Sequence, residues 1–265
     1  MGSREQMKCI FSNLCKNIQN ENSSLPRVLY KYIDIYGACK LMENLSIKYT
    51  EPYKFDDIFE LSEYENVKYS ISPKNAKDHL ISSIKQSTED FKVLNQLKNQ
   101  IGVACYSTEW DINIMWSLYA GKHMGVVLGF NTQYLAPLSK VNYIHPEEEK
   151  DEFQNIVDAA HYMIYTKSSD WSWQKEWRSI SLLSDLTYKH SENKPDEDLY
   201  LRKIPKDAIA EIYLGGNPNE KPKSICTEQD NFIRLFNELD LKIPLYGCFK
   251  DFDKRGKLTR NLLND

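Results

Sequence analysis

The segment from Ala104 to Phe130 is the strongest constraint on the fold, because it places a helical stretch between two runs that have the composition of strands. Ile101 to Ser107 and Gly125 to Phe130 are apolar and bordered by glycine, whereas Asn113 to Ala120 has helical spacing. Polar and charged side chains stand at the junctions between these elements. The segment therefore predicts a strand, a helix and a second strand that together frame a site.

The remaining sequence repeats this mixture of apolar runs and helically spaced residues. Candidate strands lie at Arg27 to Ile33, Ile47 to Thr50, Trp177 to Leu183, Leu199 to Arg202, Ala208 to Leu214 and Pro244 to Phe249. Candidate helices lie at 36–44, 147–165 and 228–239, with an N-terminal helical extension in residues 1–25 and a helical insertion at 73–100. The pattern predicts an α+β fold: a single domain, residues 1–265, in which helices flank a central mixed, largely antiparallel sheet.

Composition limits the classes of partner. The net charge is −4, so no global positive field attracts nucleic acid, and any phosphate site has to be local. No run approaches the roughly eighteen apolar residues that a membrane span needs. The six cysteines are scattered without CxxC spacing and no signal peptide precedes them, which predicts a cytoplasmic protein with reduced thiols. We expect no membrane association and an unidentified macromolecular acceptor or partner protein.

A second polar cluster lies in Trp171 to Leu183, where Lys175, Glu176 and Arg178 stand at the start of an apolar run. Period-two spacing puts Glu176 and Arg178 on one face of a strand. There the two side chains either form a structural ion pair or take part in chemistry. The sequence leaves both interpretations open.

Several of these elements also occur, in the same order, in a known family. They are LYKY (29–32), PYKFDDIFE (52–60), CYSTEWDINIMWSLYAGKHMGVVLGF (105–130), WSWQKEWR (171–178), AIAEIYLGG (208–216) and LKIPLYGCF (241–249). In this the chain resembles the bacterial domain-of-unknown-function 2971 family. The resemblance implies a bacterial or phage-related host and a role as an effector in a defence or toxin module.

The order of strands is similar to that of ADP-ribosyltransferases, a fold-level analogy that implies NAD as a substrate. Enzymes of that kind, including NAD glycohydrolases, place a carboxylate beside the ribose, where it stabilises positive charge as nicotinamide leaves. By this analogy Glu176 is the catalytic carboxylate and Ser107 contacts the ribose. His123 is a further catalytic candidate, although its position after a helix end also suits an interaction with the helix dipole. Substitution Glu176→Gln is then expected to stop nicotinamide release with little change in melting temperature.

The same analogy implies five cofactor-binding candidates. Lys31 is expected to contact phosphate, and Tyr30, Tyr32 or Trp116 to stack on a ring, with Arg178 as a further contact. The alternative for Trp116 is a place in the core, because aromatic residues at helical spacing usually fill one. No metal is expected, because the adjacent Asp56 and Asp57 would point to opposite faces of a strand and no DxD or HxH spacing supports a site there.

Two other functions fit the sequence. A metal-dependent nuclease would use convergent carboxylates, for which the candidates are Asp57, Glu109 and Glu176. A non-enzymatic binding or regulatory module would have no turnover and would tolerate the substitution Glu176→Gln.

Overall fold

The structure is a computed structural model that describes residues 3–21, 24–55, 68–69, 89–135, 137–148, 152–189, 198–216, 227–250 and 257–264. Its helices are α1 (Ser3–Glu21), α2 (Ile35–Asn44), α3 (89–98), α4 (Asn113–Tyr119), α5 (Ile156–Tyr165) and α6 (Thr227–Glu238). Its strands are β1 (Val28–Ile33), β2 (Ser46–Tyr49), β3 (Lys68–Tyr69), β4 (Ile101–Ser107), β5 (Val126–Asn131), β6 (Leu138–Lys140), β7 (Asn142–Ile144), β8 (Glu152–Phe153), β9 (Thr166–Ser168), β10 (Glu176–Leu182), β11 (Thr187–Lys189), β12 (Leu199–Lys203), β13 (Ile209–Gly215), β14 (Leu245–Lys250) and β15 (Leu258–Leu262).

A mixed, mostly antiparallel sheet forms the centre of the molecule. Within the described residues it has eight strands in the order β15-β14-β13-β5-β1-β4-β10-β6, and only β13 and β14 pair in parallel. A second sheet has the order β11-β12-β2, and two further parallel pairs are β3 with β8 and β7 with β9. The predicted α+β class and sheet type are confirmed. None of the described helices is long and apolar enough to cross a membrane.

The predicted strand, helix and strand are β4, α4 and β5. The two strands are not neighbours, because β1 lies between them in the sheet. Val126 to Phe130 is buried at every position, as expected of a central strand covered on both faces. The site that this segment frames therefore includes β1.

Two helical layers bury the two faces of the sheet. Leu29 and Phe130 belong to a core cluster that includes Met42 of α2 and Phe232 of α6. The other large cluster combines α1, α3 and α5 with strands β4 and β10, through the residues Leu14, Ile18, Leu97, Ile164, Val103 and Ile180. Leu14 and Ile18 are fully buried, so the N-terminal helix is part of the core.

Two helices predicted from the sequence differ in extent from the helices in the structure. The helix predicted at 147–165 begins only at Ile156, because the Asn155 side chain accepts hydrogen bonds from the backbone N–H groups of Val157 and Asp158 and so caps the helix there. The preceding Phe153 lies in β8. Of the predicted insertion at 73–100, residues 89–98 form α3, and residues 73–88 lie outside the described residues.

A tight turn joins α4 to β5 and packs against the end of β13. Lys122 and His123 have positive φ angles of 55° and 71° in this turn. A Cβ added to Gly215 of β13 would lie 2.2 Å from the backbone oxygen of His123. The absence of a side chain at Gly215 is therefore what allows the turn to approach the sheet.

We predict that Gly215→Ala lowers the free energy of unfolding by about 1–3 kcal/mol, because backbone atoms have to move to admit the methyl group. The neighbouring Gly216→Ala is the matched control, since a Cβ there meets nothing closer than 3.6 Å. Urea unfolding followed by circular dichroism measures both. Equal stabilities of the two variants would contradict this packing.

Candidate functional site

The candidate site lies where β1 separates from β4. The two strands pair at Tyr30 and Ser107, but Val103, further along β4, pairs instead with Thr50, which follows β2. Between these positions the Cys105 carbonyl accepts a hydrogen bond of 3.1 Å from Lys31 Nζ. A lysine side chain thus spans a gap in the main-chain pairing of the sheet.

A cleft of about 350 Å³ opens at this gap. Its lining combines lysines, aromatic rings and a carboxylate. The lining residues are Tyr30, Lys31, Tyr32, Lys48, Thr50, Lys54, Phe55, Val103, Cys105, Tyr106, Met115, Tyr119, Lys167, Trp171, Gln174 and Glu176. Among these described residues Glu176 is the one carboxylate, so the cleft suits an anionic ligand with an unsaturated ring.

The structure brings four of the predicted site residues to this cleft. They are Tyr30, Lys31, Tyr32 and Glu176. The other four, Ser107, Trp116, His123 and Arg178, do not line the cleft and are described below.

Glu176 begins β10 and is held by two cations. Arg178 donates from Nε to Oε1 at 2.8 Å and from Nη2 to Oε2 at 3.2 Å, and Lys167 Nζ lies 3.4 Å from Oε2. The Glu176 residue is 4% exposed, yet it lines the cleft. The predicted alternation on β10 thus places both charges on one face, and they form an ion pair.

Arg178, predicted as a cofactor contact, is fully buried and does not line the cleft. Its Nη1 donates to the Ile164 carbonyl at 2.5 Å, and its guanidinium lies 5.8 Å from the centre of the Phe55 ring. A buried guanidinium with these partners cannot reach a ligand without breaking them. Its position instead fixes the direction of the Glu176 carboxylate.

The chain around Trp171 and Gln174 forms the wall next to Glu176. Residues 169–174 form a 3-10 helix whose cap, Ser168, accepts from the backbone N–H of Asp170. Gln174 Nε2 donates to the Tyr119 hydroxyl at 3.2 Å, which links this wall to α4. Lys167 Nζ lies 5.0 Å from the centre of the Trp171 ring, a cation–π contact.

The backbone of Glu176 is fixed as firmly as its side chain. Its N–H donates to the Tyr143 hydroxyl at 2.9 Å. Burial raises the pKa of Tyr143 to about 12, so this hydroxyl stays neutral at physiological pH.

Lys31 lies on the floor of the cleft, over the Tyr106 ring, with 5.4 Å between Nζ and the ring centre. Burial lowers the pKa of Lys31; the nearby Glu176 opposes this shift, and Lys48 adds to it. A cation in this position gains from an anionic ligand, because the ligand restores the favourable interactions that burial removed.

Ser107 is enclosed next to Glu176 and does not line the cleft. Its hydroxyl donates to the Gln174 carbonyl at 2.7 Å and accepts from the Glu109 N–H at 3.3 Å. It is fully buried and lies opposite both Tyr30 and Glu176 in the sheet register. Its observed contacts anchor the wall and leave the ribose contact without support.

Trp116, on α4, and His123, in the turn that follows α4, do not line the cleft. Trp116 is 1% exposed, donates from Nε1 to the Trp110 carbonyl at 2.7 Å and packs edge-on against Tyr32. The His123 ring stacks on it with 6.4 Å between centroids, and burial lowers the pKa of His123. Trp116 is therefore packed in the core, as in the alternative given for it from the sequence.

The carboxylates named for a nuclease do not converge among the described residues. Asp57 lies outside them. Glu109 forms a partly exposed ion pair with Lys175 and does not line the cleft. No group of three or more His, Cys, Asp or Glu side chains that could hold a metal occurs in the described part of the chain.

One segment of the chain matches the model of a known protein family. Residues 115–179 match the model of a family described as protein of unknown function, DUF2971. Over these residues the chain is similar to the DUF2971 family. No curated protein and no solved structure matches the chain.

The DUF2971 segment contributes one side of the cleft. It contains Met115, Tyr119, Lys167, Trp171, Gln174 and Glu176 of the lining. The lysines on the opposite side, Lys31, Lys48 and Lys54, come from residues before the matched segment. The ligand surface is thus assembled from two parts of the sequence.

Sequence reasoning missed most of the cationic and aromatic lining. Lys48 and Thr50 share one face of the predicted strand at Ile47 to Thr50, and this alternation could have marked Lys48. Lys167 and Trp171 gave no comparable signal, because the three-residue strand β9 and the 3-10 helix after it bring them next to Glu176.

We predict that Arg178→Met lowers the free energy of unfolding by about 3–5 kcal/mol, because it leaves the Glu176 carboxylate buried without its main partner. The control is Arg234→Met, which removes an exposed pair with Glu238 on α6 and should cost less than about 1 kcal/mol. Urea unfolding measures both variants. The double variant Glu176→Gln with Arg178→Met should recover part of the loss; a double variant less stable by the sum of the single losses would contradict the pairing.

Proposed function

We propose that the protein is an NAD-using enzyme, an ADP-ribosyltransferase-like transferase or NAD glycohydrolase, in which Glu176 is the catalytic residue. The observation that carries this proposal is the placement of one oriented carboxylate in a cleft lined by lysines and aromatic rings. NAD carries a pyrophosphate, two riboses and two aromatic ring systems, which are the groups that such a lining recognises.

The reaction breaks the bond between the ribose C1′ and the nicotinamide nitrogen. The bonding electron pair leaves with nicotinamide, which becomes neutral, and positive charge develops on the ribose. Water or an acceptor group then bonds to C1′ and loses a proton. A carboxylate beside the ribose lowers the barrier by stabilising the developing charge and orienting a ribose hydroxyl.

The surroundings of Glu176 fit this task. A carboxylate has about four acceptor positions, and Arg178 and Lys167 occupy three of them. The Cys105 thiol lies beside the carboxylate, and the nearby Glu176 adds to the rise in the pKa of Cys105 that burial causes. A ligand hydroxyl competes with this neutral thiol for the fourth position.

Aromatic rings near Glu176 provide surfaces for the leaving nicotinamide. Trp171 and Tyr119 lie on the same wall, joined through Gln174, and Tyr30 and Tyr32 lie across the cleft on β1. Stacking on such rings favours a flat, cationic pyridinium over a saturated group.

We predict that the purified protein releases nicotinamide from NAD and that Glu176→Gln lowers this rate about a hundredfold or more. Because Arg178 is buried against Glu176, the variant should also lose up to about 3 kcal/mol of stability. Its melting temperature is therefore expected to fall, unlike the expectation from the sequence alone. Nicotinamide is measured by chromatography at a temperature at which both proteins are folded. Glu43→Gln, in an exposed pair on α2, is the control and should retain full activity. No release by the wild-type protein with protein, nucleic acid or water as acceptor would contradict the proposal.

We place this activity in the bacterial cytoplasm, as the effector of a defence or toxin module. Expression of the wild-type chain in bacteria should then lower cellular NAD and slow growth, whereas Glu176→Gln should do neither at equal protein level. Growth curves and NAD assays of the two strains check this prediction. Equal growth with unchanged NAD would contradict an effector role.

The second candidate is a non-enzymatic module that binds a nucleotide and regulates a partner. The two-point contact of Arg178 with Glu176 favours it, because it leaves the carboxylate little freedom. Under this alternative NAD binds and is not consumed. The nicotinamide assay separates the two candidates.

A further inference from the structure

Three aromatic rings, those of Trp110, Tyr213 and Tyr246, form a ring stack in the core cluster that also contains Tyr30 and Tyr32. The Trp110 ring lies parallel to the Tyr213 ring, with 4.5 Å between centroids and 6° between planes. Tyr213 stacks in turn on Tyr246 at 5.1 Å. The two tyrosines of the stack belong to the paired strands β13 and β14, whereas Trp110 lies in the loop between β4 and α4. The ring stack thus joins this loop to the C-terminal strands of the sheet.

Arg260 of β15 lies over the ring stack. Its guanidinium carbon is 4.4 Å from the centre of the Tyr246 ring, 5.2 Å from that of Trp110 and 5.3 Å from that of Tyr213. Its Nη1 also donates a hydrogen bond to the Tyr213 hydroxyl. A guanidinium is planar and weakly hydrated, so it can lie against several rings and still donate hydrogen bonds. Arg260 therefore stabilises the position of Trp110 on the sheet.

The strand that carries Arg260 is otherwise a thin addition to the sheet. Among the described residues β15 pairs with β14 alone, and four of its five residues are exposed. It lies after the segment that matches DUF2971. Arg260 is thus a side chain by which this outer strand reaches the loop that follows β4.

The backbone on either side of Trp110 holds Tyr32, which lines the cleft. The Tyr32 hydroxyl donates to the Glu109 carbonyl at 2.8 Å and accepts from the Ile112 N–H at 3.1 Å. The Trp110 carbonyl accepts from Nε1 of Trp116 at 2.7 Å, and Trp116 is on α4, the helix that contributes to one wall of the cleft. The position of the loop therefore sets the positions of Tyr32 and α4.

Tyr30, the other tyrosine that β1 contributes to the cleft, contacts the ring stack directly. Its ring packs edge-on against Tyr213, with 6.0 Å between centroids, and its hydroxyl donates to Glu211 Oε1 at 2.6 Å. Glu211 and Tyr213 share one face of β13 by strand alternation. Tyr213 thus supports one cleft tyrosine, and the loop that carries Trp110 supports the other.

We propose that Arg260 is a positioning residue for the cleft, which acts through Trp110 and Tyr213 and does not touch the ligand. With the guanidinium in place, the loop after β4 and the aromatic wall keep the geometry that receives a flat ring. The inference rests on the proposed function where that ring is the nicotinamide of NAD. The ordering of the loop by Arg260 does not depend on which ligand the cleft binds.

Hydrogen exchange of the full chain, followed by mass spectrometry, tests the order of the loop. Arg260→Ala should speed exchange in peptides that cover residues 108–112 about fivefold or more, because the loop opens more often without the cation. Exchange in β5 should stay the same. Arg260→Lys keeps the charge without the planar group, so its exchange should lie between those of Arg260→Ala and the wild type.

Arg234→Ala is the matched control, because it removes an exposed arginine that pairs with Glu238 on α6. Its loop should exchange at the wild-type rate. Wild-type exchange of the loop in Arg260→Ala would overturn the inference. Equal acceleration of the loop and β5 would also overturn it, because that pattern indicates a general loss of stability.

Trp110→Leu tests the route by which Arg260 acts. This substitution removes a ring against which the guanidinium packs, so it should speed exchange of the same peptides. Arg260→Ala added to Trp110→Leu should give little further acceleration, because the two side chains act through one contact. Accelerations that multiply in the double variant would mean that the two residues act independently, and would overturn the route.

The nicotinamide assay tests the effect on the cleft. Arg260→Ala should raise the KM for NAD about fivefold and change kcat less than about twofold, because the loop positions the ring while Arg178 and Lys167 still hold Glu176. An unchanged KM, or a loss confined to kcat, would overturn the positioning role. Absence of nicotinamide release by the wild-type chain overturns the proposed function instead, and the exchange experiment then decides the role of Arg260.

Discussion

The separation of β1 from β4 is the constraint on which the site depends. If β1 paired with β4 along its whole length, the space now lined by Lys31 and Cys105 would be filled by main-chain hydrogen bonds. Instead Thr50 takes the place of β1 at Val103, and a lysine satisfies the carbonyl left between them. An open cleft inside a sheet is stable here because the exposed backbone group has found a side-chain donor.

The overall architecture followed from the sequence because it depends on local periodicity. The strand, helix and strand from Ile101 to Phe130 have clear apolar patterns, and burial on both faces of β5 matches its continuous apolar run. The helix predicted from residue 147 began late, because the Asn155 cap outweighed the favourable spacing before it. The order of the strands in the sheet could not be predicted from the sequence, because long-range pairing places β1 between β4 and β5.

Tyr30, Lys31, Tyr32 and Glu176 were named by the analogy to ADP-ribosyltransferases, and all four line the cleft. Strand alternation alone puts Lys31 on the other face of β1 from Tyr30 and Tyr32, so it does not predict that all three meet there. Arg178 shares the face of Glu176 but lies deeper, and periodicity carries no information on depth. Lys167 lies on the three-residue strand β9 and Trp171 in the capped 3-10 helix that follows, and a pattern of apolar residues does not describe such short elements.

The composite origin of the cleft has an evolutionary consequence. The carboxylate wall lies in the segment shared with DUF2971, and the lysine wall lies before it. Under the proposed function, mutations in residues 28–55 would alter which ligand is held, while the residues around Glu176 stay the same. Such a division would allow the proposed reactive centre to be adapted to new ligands by substitutions in a separate stretch of polypeptide.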